Sequence, residues 1–231
     1  MSPSHAILRG VAQGDETQGK TLRVVVLLGP PGSGKGTLAT SLSEHLGVAV
    51  FVTGDALRAA IDAKSKLGEK VKADVEAGRL VDDETILALA QGFLAAHPEG
   101  VLFDGFPRTI RQAAGLRSLV SAEDDLHVIY LDASEETITS RLTSRRVCPG
   151  CGEIYNMRFK PPKKDGVCDN CSTTLIRRKD DTEEVIRDRY QVYLRETAPL
   201  VDYFARELLR VDGNLSGDKV LERVRGELCP A

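Results

Sequence analysis

The chain has 231 residues, enough for one large domain or for one domain with inserted modules. Hydrophobic residues make up 42% and charged residues 28%, which indicates a globular protein with a substantial core. The formal net charge is −3, and the apolar runs are far shorter than the roughly 18 residues of a membrane span, so we expect neither nucleic acid nor membrane as a partner.

The first 21 residues contain acidic and basic side chains but no long apolar stretch, so we expect no secretory signal. Their glycine and glutamine content favours a flexible tail. Four of the five cysteines are clustered within residues 148–171, unlike the distributed pattern of a small disulfide-rich secreted domain. We therefore expect a cytoplasmic protein.

Short β-branched apolar runs alternate with helical patterns along the rest of the chain. The run 22–28 lacks polar alternation, which is typical of a strand buried on both faces, and similar runs follow at 48–52, 101–103, 127–131 and 208–211. The predicted helices are 34–46, 82–96, 109–120, 135–144, 182–207 and 216–228, with N-caps at Asp82, Ser134, Asp181 and Ser216. This alternation predicts an α/β fold with a parallel sheet covered on both faces.

Two stretches interrupt the alternation. Residues 53–81 are polar and helical in pattern, whereas residues 144–181 are rich in cysteine, proline, glycine and basic side chains. We interpret both as insertions into a core made of residues 22–52, 82–143 and 182–231.

A glycine-rich turn follows the first predicted strand, with the sequence Gly29-Pro30-Pro31-Gly32-Ser33-Gly34-Lys35-Gly36-Thr37. Glycines let successive backbone N–H groups point inward around phosphate oxygens, and the following helix adds its positive dipole end. The lysine supplies a charge for the β- and γ-phosphates of a nucleotide. Because Gly36 separates Lys35 from Thr37, the hydroxyl that approaches Mg²⁺ remains open.

The same turn also fits the dinucleotide fingerprint through Gly34, Gly36 and Ala39, with Asp55 about 20 residues after Lys35. That register starts late in the turn and gives the lysine no purpose, so we favour a phosphate loop. Farther along, an apolar run ends in Asp104, and a carboxylate there beside a phosphate loop holds the water shell of Mg²⁺.

The cysteines form two Cys-x-x-Cys pairs, Cys148 with Cys151 and Cys168 with Cys171, separated by 16 residues. This spacing predicts a closed four-thiolate Zn²⁺ site with a structural role, because no fifth ligand is nearby. The alternative is a pair of reduced turns without metal.

Several further motifs are similar to those of the adenylate kinase family, in its long-lid, zinc-binding form, and the resemblance covers residues 22–228. The motifs that carry it, besides the phosphate loop, are Thr53-Gly54-Asp55-Ala56-Leu57-Arg58, Gly78-Arg79-Leu80-Val81, Asp104-Gly105-Phe106-Pro107-Arg108-Thr109 with Gln112, and Arg178-Lys179-Asp180-Asp181 with Arg189. The chain departs from the family pattern at Asn156, where histidine is common, and at Ser172, where glycine is common.

The resemblance implies a five-stranded core with a nucleoside-monophosphate-binding insertion at 53–81 and a mobile zinc-ribbon-like lid at 144–181. It implies a monomeric enzyme that converts Mg·ATP and AMP reversibly to two ADP. The implied ATP-binding residues are Gly32, Ser33, Gly34, Lys35, Gly36, Thr37, Arg145, Ile154, Tyr155 and Arg210, the last through its carbonyl. The implied AMP-binding residues are Thr53, Arg58, Arg79, Leu80, Val81, Gly105, Phe106, Pro107, Arg108, Gln112, Arg178 and Arg189. The expected catalytic set is Lys35, Asp104, Arg108, Arg145, Arg178 and Arg189.

Two alternative functions accompany this interpretation. A UMP/CMP or GMP kinase shares the phosphate loop, although the long insertion at 144–181 resembles the lid of adenylate kinases. The second alternative is a nucleotide switch that binds RNA or DNA through its basic zinc ribbon. The ribbon, however, offers only Tyr155 and Phe159 for stacking on bases, and the motif around Arg108 would then lack a purpose.

Overall fold

The computed structural model describes residues 22–228, so the predicted tail 1–21 and residues 229–231 lie outside the described residues. The strands are β1 (Arg23–Leu28), β2 (Ala49–Val52), β3 (Val101–Asp104), β4 (Asp125–Asp132), β5 (Arg145–Val147), β6 (Ile154–Asn156) and β7 (Leu208–Asp212). The helices are α1 (Lys35–Leu46), α2 (Thr53–Asp62), α3 (Lys66–Glu76), α4 (Asp83–Ala96), α5 (Ile110–Leu119), α6 (Glu135–Thr143), α7 (Glu183–Val192), α8 (Leu200–Tyr203) and α9 (Gly217–Leu228), with a π-helical turn at Tyr193–Thr197.

Five strands form one parallel sheet in the order β2-β3-β1-β4-β7, which confirms the predicted α/β fold. Val24, Val25 and Val26 of the central strand have no solvent exposure, as expected of a strand covered on both faces. Their side chains alternate between two apolar clusters, one on each side of the sheet. In the pairing of β1 with β3, Leu27 lies opposite Asp104, so the turn after β1 is next to that carboxylate.

The first insertion consists of α2 and α3, which pack closely against each other. A Cβ on Gly68 of α3 would lie 2.0 Å from the carbonyl oxygen of Ala60 in α2, so this contact requires glycine. The second insertion contains the antiparallel hairpin of β5 and β6 and has a small core of its own, formed by Cys148, Tyr155, Cys168 and Leu175.

Of the four predicted N-caps, two are confirmed by a side-chain hydrogen bond, one is wrong, and Ser216 directly precedes α9 as expected. Asp82 accepts a hydrogen bond from Thr85 N at the start of α4, and Ser134 accepts one from Thr137 N at the start of α6. The cap of α7 is Thr182 rather than Asp181, because the carboxylate of Asp181 binds an arginine side chain instead.

The predicted continuous helix over 182–207 is also wrong. It divides into α7, the π-helical turn and α8, which ends at Tyr203. In the turn Ala198 N donates to Tyr193 O, five residues back, and the next residue, Pro199, has no N–H to continue the ladder. The wider turn directs two buried side chains to the sheet side: Tyr193 Oη lies 3.0 Å from Tyr130 Oη, and Thr197 donates to the carbonyl of Arg108. Among the described residues, each helix is too short or too polar to cross a membrane.

Candidate active site

The phosphate loop connects β1 to α1 and wraps around the side chain of Lys35. Its Nζ donates to Gly29 O at 2.8 Å and to Pro30 O at 2.9 Å. Gly29 has a φ of +138°, and a Cβ there would lie 2.5 Å from the carbonyl oxygen of Leu131, so the tight turn requires glycine. The ammonium group of Lys35 is therefore held within the loop, where its charge adds to the backbone N–H groups that bind phosphate oxygens.

The charge of Lys35 is shared with cations from other parts of the chain. Burial lowers the pKa of Lys35 to about 8, against the opposing charge of Asp104. The positive charges of Arg108, Arg189 and Arg145 lower this pKa further, so these three charges act on the ammonium group. The structure thus gathers four of the predicted catalytic cations at the mouth of the loop.

Asp104 ends β3 beside the loop and is 9% exposed. Burial raises its pKa, whereas the charge of Lys35 lowers it. A Cβ on Gly36 would lie 3.4 Å from Asp104 Oδ2, so the first turn of α1 lies beside this carboxylate, and the side chain of Thr37 is exposed.

A cavity lies between the first insertion and the core, and most of the predicted AMP-binding residues line it. These are Thr53, Arg58, Arg79, Leu80, Val81, Gly105, Arg108, Gln112 and Arg189. Thr53 Oγ1 is the buried side-chain oxygen or nitrogen without a hydrogen-bond partner among residues 22–228. Because an unsatisfied buried hydroxyl is costly, it indicates a site for a polar ligand.

Three predicted AMP-binding residues are placed elsewhere. The side chain of Phe106 is fully buried, with its ring 5.0 Å from that of Phe103, and Pro107 is also buried. Only backbone groups of these two can reach a ligand. Arg178 lies beside the cavity and forms an ion pair with Asp55 at 3.5 Å.

Carboxylates hold most of the predicted arginines, a role that the sequence analysis did not assign to these acids. Asp181 is fully buried and accepts from Arg145 Nε at 2.8 Å and Nη2 at 2.5 Å. Asp180 accepts from Arg189 at 2.8 Å, and Asp55 pairs with both Arg58 and Arg178. Burial lowers the pKa of Arg178 and of Arg189 to about 10. The signal was present in the sequence, since each acid lies within a motif that also contains an arginine.

Further lining residues that the sequence analysis missed are Gly54, Leu57, Val75, Gly78, Ile86 and Asp180. Gly54, Leu57, Gly78 and Asp180 belong to the quoted motifs, but their place in one cavity depends on how distant segments pack, which local patterns do not reveal. Gly78 gives a clear example, because a Cβ there would lie 2.7 Å from Arg189 Cγ.

The second insertion reaches the phosphate loop. Ile154 Cδ1 lies 3.9 Å from the point that a Cβ on Gly36 would occupy. Tyr155, by contrast, is buried within the insertion, where its Oη accepts from Asp169 N at 2.8 Å. Arg210 packs its guanidinium over the ring of Tyr130 and pairs with Asp132.

The four cysteine sulfurs of the insertion all lie within 4.8 Å of one another. Tetrahedral Zn–S bonds of about 2.3 Å place sulfurs about 3.8 Å apart, so the cluster fits a Zn²⁺ ion. The separations of 3.3 Å for Cys148 to Cys171 and 3.5 Å for Cys151 to Cys168 are too long for disulfides. A Cβ on Gly150 would lie 2.8 Å from Thr173 Oγ1, so glycine lets the two turns approach.

The structure explains the departure at Asn156, and at Ser172 it shows why glycine is common. Asn156 Nδ2 donates to Arg141 O at the end of α6, and its Oδ1 accepts from Arg158 N. The amide thus joins the insertion to the core. Ser172 has a φ of +58°, in the left-handed region that favours glycine.

Comparison with known proteins agrees with this geometry. The family model described as adenylate kinase matches residues 27–208. A curated adenylate kinase from Pseudothermotoga lettingae is 46% identical over 207 residues, which cover 87% of this chain and 95% of the relative. The adenylate kinase of Magnetococcus marinus is 45% identical over 211 residues (89% and 97%), and that of Kosmotoga olearia is 41% identical over 206 residues (87% and 96%). The chain belongs to the adenylate kinase family.

Proposed function

We propose that the chain catalyses the reversible, Mg²⁺-dependent transfer of a phosphoryl group from ATP to AMP, which yields two ADP and balances the adenine nucleotides of the cell. The observation that carries this proposal is the electrostatic interaction between cationic side chains of the phosphate loop and of the neighbouring cavity. Lys35 comes from the phosphate loop, while Arg108 and Arg189 come from the wall of the neighbouring cavity, and their charges act on one another.

Such a meeting point suits phosphoryl transfer. The transition state spreads negative charge over the equatorial oxygens of the moving group, and the protein contributes position and positive charge. Guanidinium groups offer paired donors that match phosphate oxygens. Carboxylates such as Asp55 and Asp180 pair with these donors, so phosphates would bind arginines that are already oriented.

Asp104 is the residue that would hold the hydrated Mg²⁺ of the nucleotide, since its carboxylate lies beside the loop. When bound, the ion neutralises charge on the β- and γ-phosphates. Lys35 would then bind phosphate oxygens in place of the loop carbonyls that it contacts in the structure.

The acceptor base would be adenine. Thr53 brings an unpartnered hydroxyl, Gln112 an amide and Val81 an apolar surface to the same cavity. A cavity that hydrogen-bonds one base rejects others strongly, because mispaired polar groups stay buried. We extend the proposal to a structural Zn²⁺ at the four cysteines, a mobile lid over 144–181, a monomeric state and a cytoplasmic location.

The test is ADP production in a coupled assay, with Mg·ATP and a panel of nucleoside monophosphates. We expect kcat/KM for AMP to exceed the values for CMP, UMP and GMP by at least about two orders of magnitude. Comparable turnover of CMP would make the protein a pyrimidine nucleotide kinase. ATP binding without ADP formation from any monophosphate would favour the nucleotide-switch alternative instead.

A further inference from the structure

The side-chain amide of Gln112 is 2% exposed, lies at the cavity wall and is bound on both sides by protein. Its Oε1 accepts from the backbone N–H of Arg108 at 2.8 Å. Its Nε2 donates to Asp83 Oδ1, also at 2.8 Å. The amide is therefore held before any nucleotide arrives.

The backbone N–H of Arg108 and the carboxylate of Asp83 fix the positions of the amide oxygen and the amide nitrogen of Gln112. A backbone N–H can only donate, and an ionised carboxylate can only accept. Turning the amide by 180° would set two donors against each other at Arg108 and two acceptors against each other at Asp83. The orientation is thus decided by the protein and not by the ligand.

Counting the remaining hydrogen-bonding capacity shows what the amide can recognise. An amide has two N–H donors and two acceptor lone pairs, and the two contacts use one of each. One donor and one acceptor in a fixed order remain. With Oε1 facing the 6-position of a purine and Nε2 facing its N1, that order pairs with a 6-aminopurine, which offers an N6–H donor beside an N1 acceptor. A 6-oxopurine in the same pose offers the reverse pair of O6 acceptor and N1–H donor.

A glutamine that is free to turn reads both kinds of purine. We infer that Asp83 is a specificity-determining positioning residue, which holds the Gln112 amide in the orientation that accepts 6-aminopurine monophosphates and rejects 6-oxopurine ones. The inference rests on the proposed function, because it assumes that the cavity receives the base of the acceptor nucleotide.

Asp83 is itself positioned by the start of a second helix. Thr109 Oγ1 donates to the same Oδ1 atom at 3.0 Å and also accepts from Gln112 N at 3.1 Å, where it caps α5. Asp83 is the first residue of α4, directly after the cap Asp82. The beginnings of α4 and α5 are therefore joined through the carboxylate that orients the amide.

The experiment measures kcat/KM with Mg·ATP and either AMP or inosine monophosphate, which differs from AMP at the 6-position and N1. Asp83→Asn replaces the acceptor-only group by one that adapts to either amide orientation. Asp83→Ala removes it and serves if the asparagine variant does not fold. The matched control is Glu84→Gln, which neutralises the adjacent carboxylate, a group that is 81% exposed and paired with Arg111 at the surface.

In Asp83→Asn we expect the ratio of kcat/KM for AMP to that for inosine monophosphate to fall by about tenfold, the effect of losing one of two mispairing penalties. The loss should appear in KM for AMP more than in kcat, because the phosphate-binding groups are unchanged. The control should keep the wild-type ratio.

A folded Asp83 variant whose two kcat/KM values fall together, with an unchanged ratio, would overturn the inference and leave Asp83 a structural role. Failure of the proposed function looks different: the wild-type protein would then turn over neither monophosphate.

Discussion

Replacing Asp181 by asparagine removes the charge that joins the two ends of the second insertion. The carboxylate is fully buried and receives two hydrogen bonds from Arg145, the first residue of β5, while Arg189 Nη1 lies 3.9 Å away. Breaking a buried pair leaves an uncompensated charge and costs about 3–5 kcal/mol. With about 2–4 °C per kcal/mol for a chain of this size, the thermal midpoint should fall by roughly 10 °C.

The assay is thermal unfolding of the nucleotide-free, zinc-loaded protein, followed by far-ultraviolet circular dichroism. Asp165→Asn makes the same change at an exposed carboxylate of the same insertion and should shift the midpoint by no more than about 2 °C. If Asp181→Asn melts within the range of this control, the pair is solvated and our reasoning from its burial is wrong.

Three further predictions concern the catalytic charges and the metal. Lys35→Ala and Arg108→Ala should each lower kcat about a thousandfold in the coupled assay without unfolding the protein. If the kcat of a variant stays within about tenfold of the wild-type value, the charge does not act on the moving phosphoryl group. Because burial lowers the pKa of Lys35 to about 8 and the group is charged below that value, kcat/KM for ATP should decline above pH 8. The decline in kcat should come at higher pH, because bound phosphates raise the pKa of Lys35. If the pH profiles of kcat and of kcat/KM coincide, the titrating group is not Lys35. Removing the metal, or changing Cys148 and Cys151 to serine, should lower the thermal midpoint and increase hydrogen exchange first in residues 144–181, while some activity remains at low temperature. If metal analysis of the reduced protein finds no zinc, the predicted site is wrong.

The parts of the fold that the sequence predicts well are those with local causes. The run of valines in β1 has no polar alternation because both faces of the strand are covered, and the loop glycines follow from the positive φ of Gly29. The caps Asp82 and Ser134 act on N–H groups three residues away, so their signal lies within one turn of helix.

The parts that the sequence does not predict depend on contacts between distant residues. Asp181 is of a residue type that commonly caps helices, but its carboxylate instead binds Arg145, which is 36 residues away in the sequence. The helix breaks after α7 because the side chains of Tyr193 and Thr197 both point inward. Tyr193 contacts Tyr130 on β4, and Thr197 donates to the carbonyl of Arg108 just before α5. For the same reason the role of Asp83 is visible only once α4 and α5 lie side by side.

The second insertion leaves the core at the end of α6 and returns at the start of α7, and these two helices pack through Ile138, Leu142 and Ile186. Both members of the Arg145–Asp181 pair lie inside the excursion, as do all four cysteines and its small core. The segment therefore has internal contacts of its own beside those of Asn156, Asp180 and Asp181 with α6 and α7, and the two helices also pack on each other outside it. This makes 144–181 an exchangeable part, so that a chimera with a shorter connection between α6 and α7 should fold around an intact sheet.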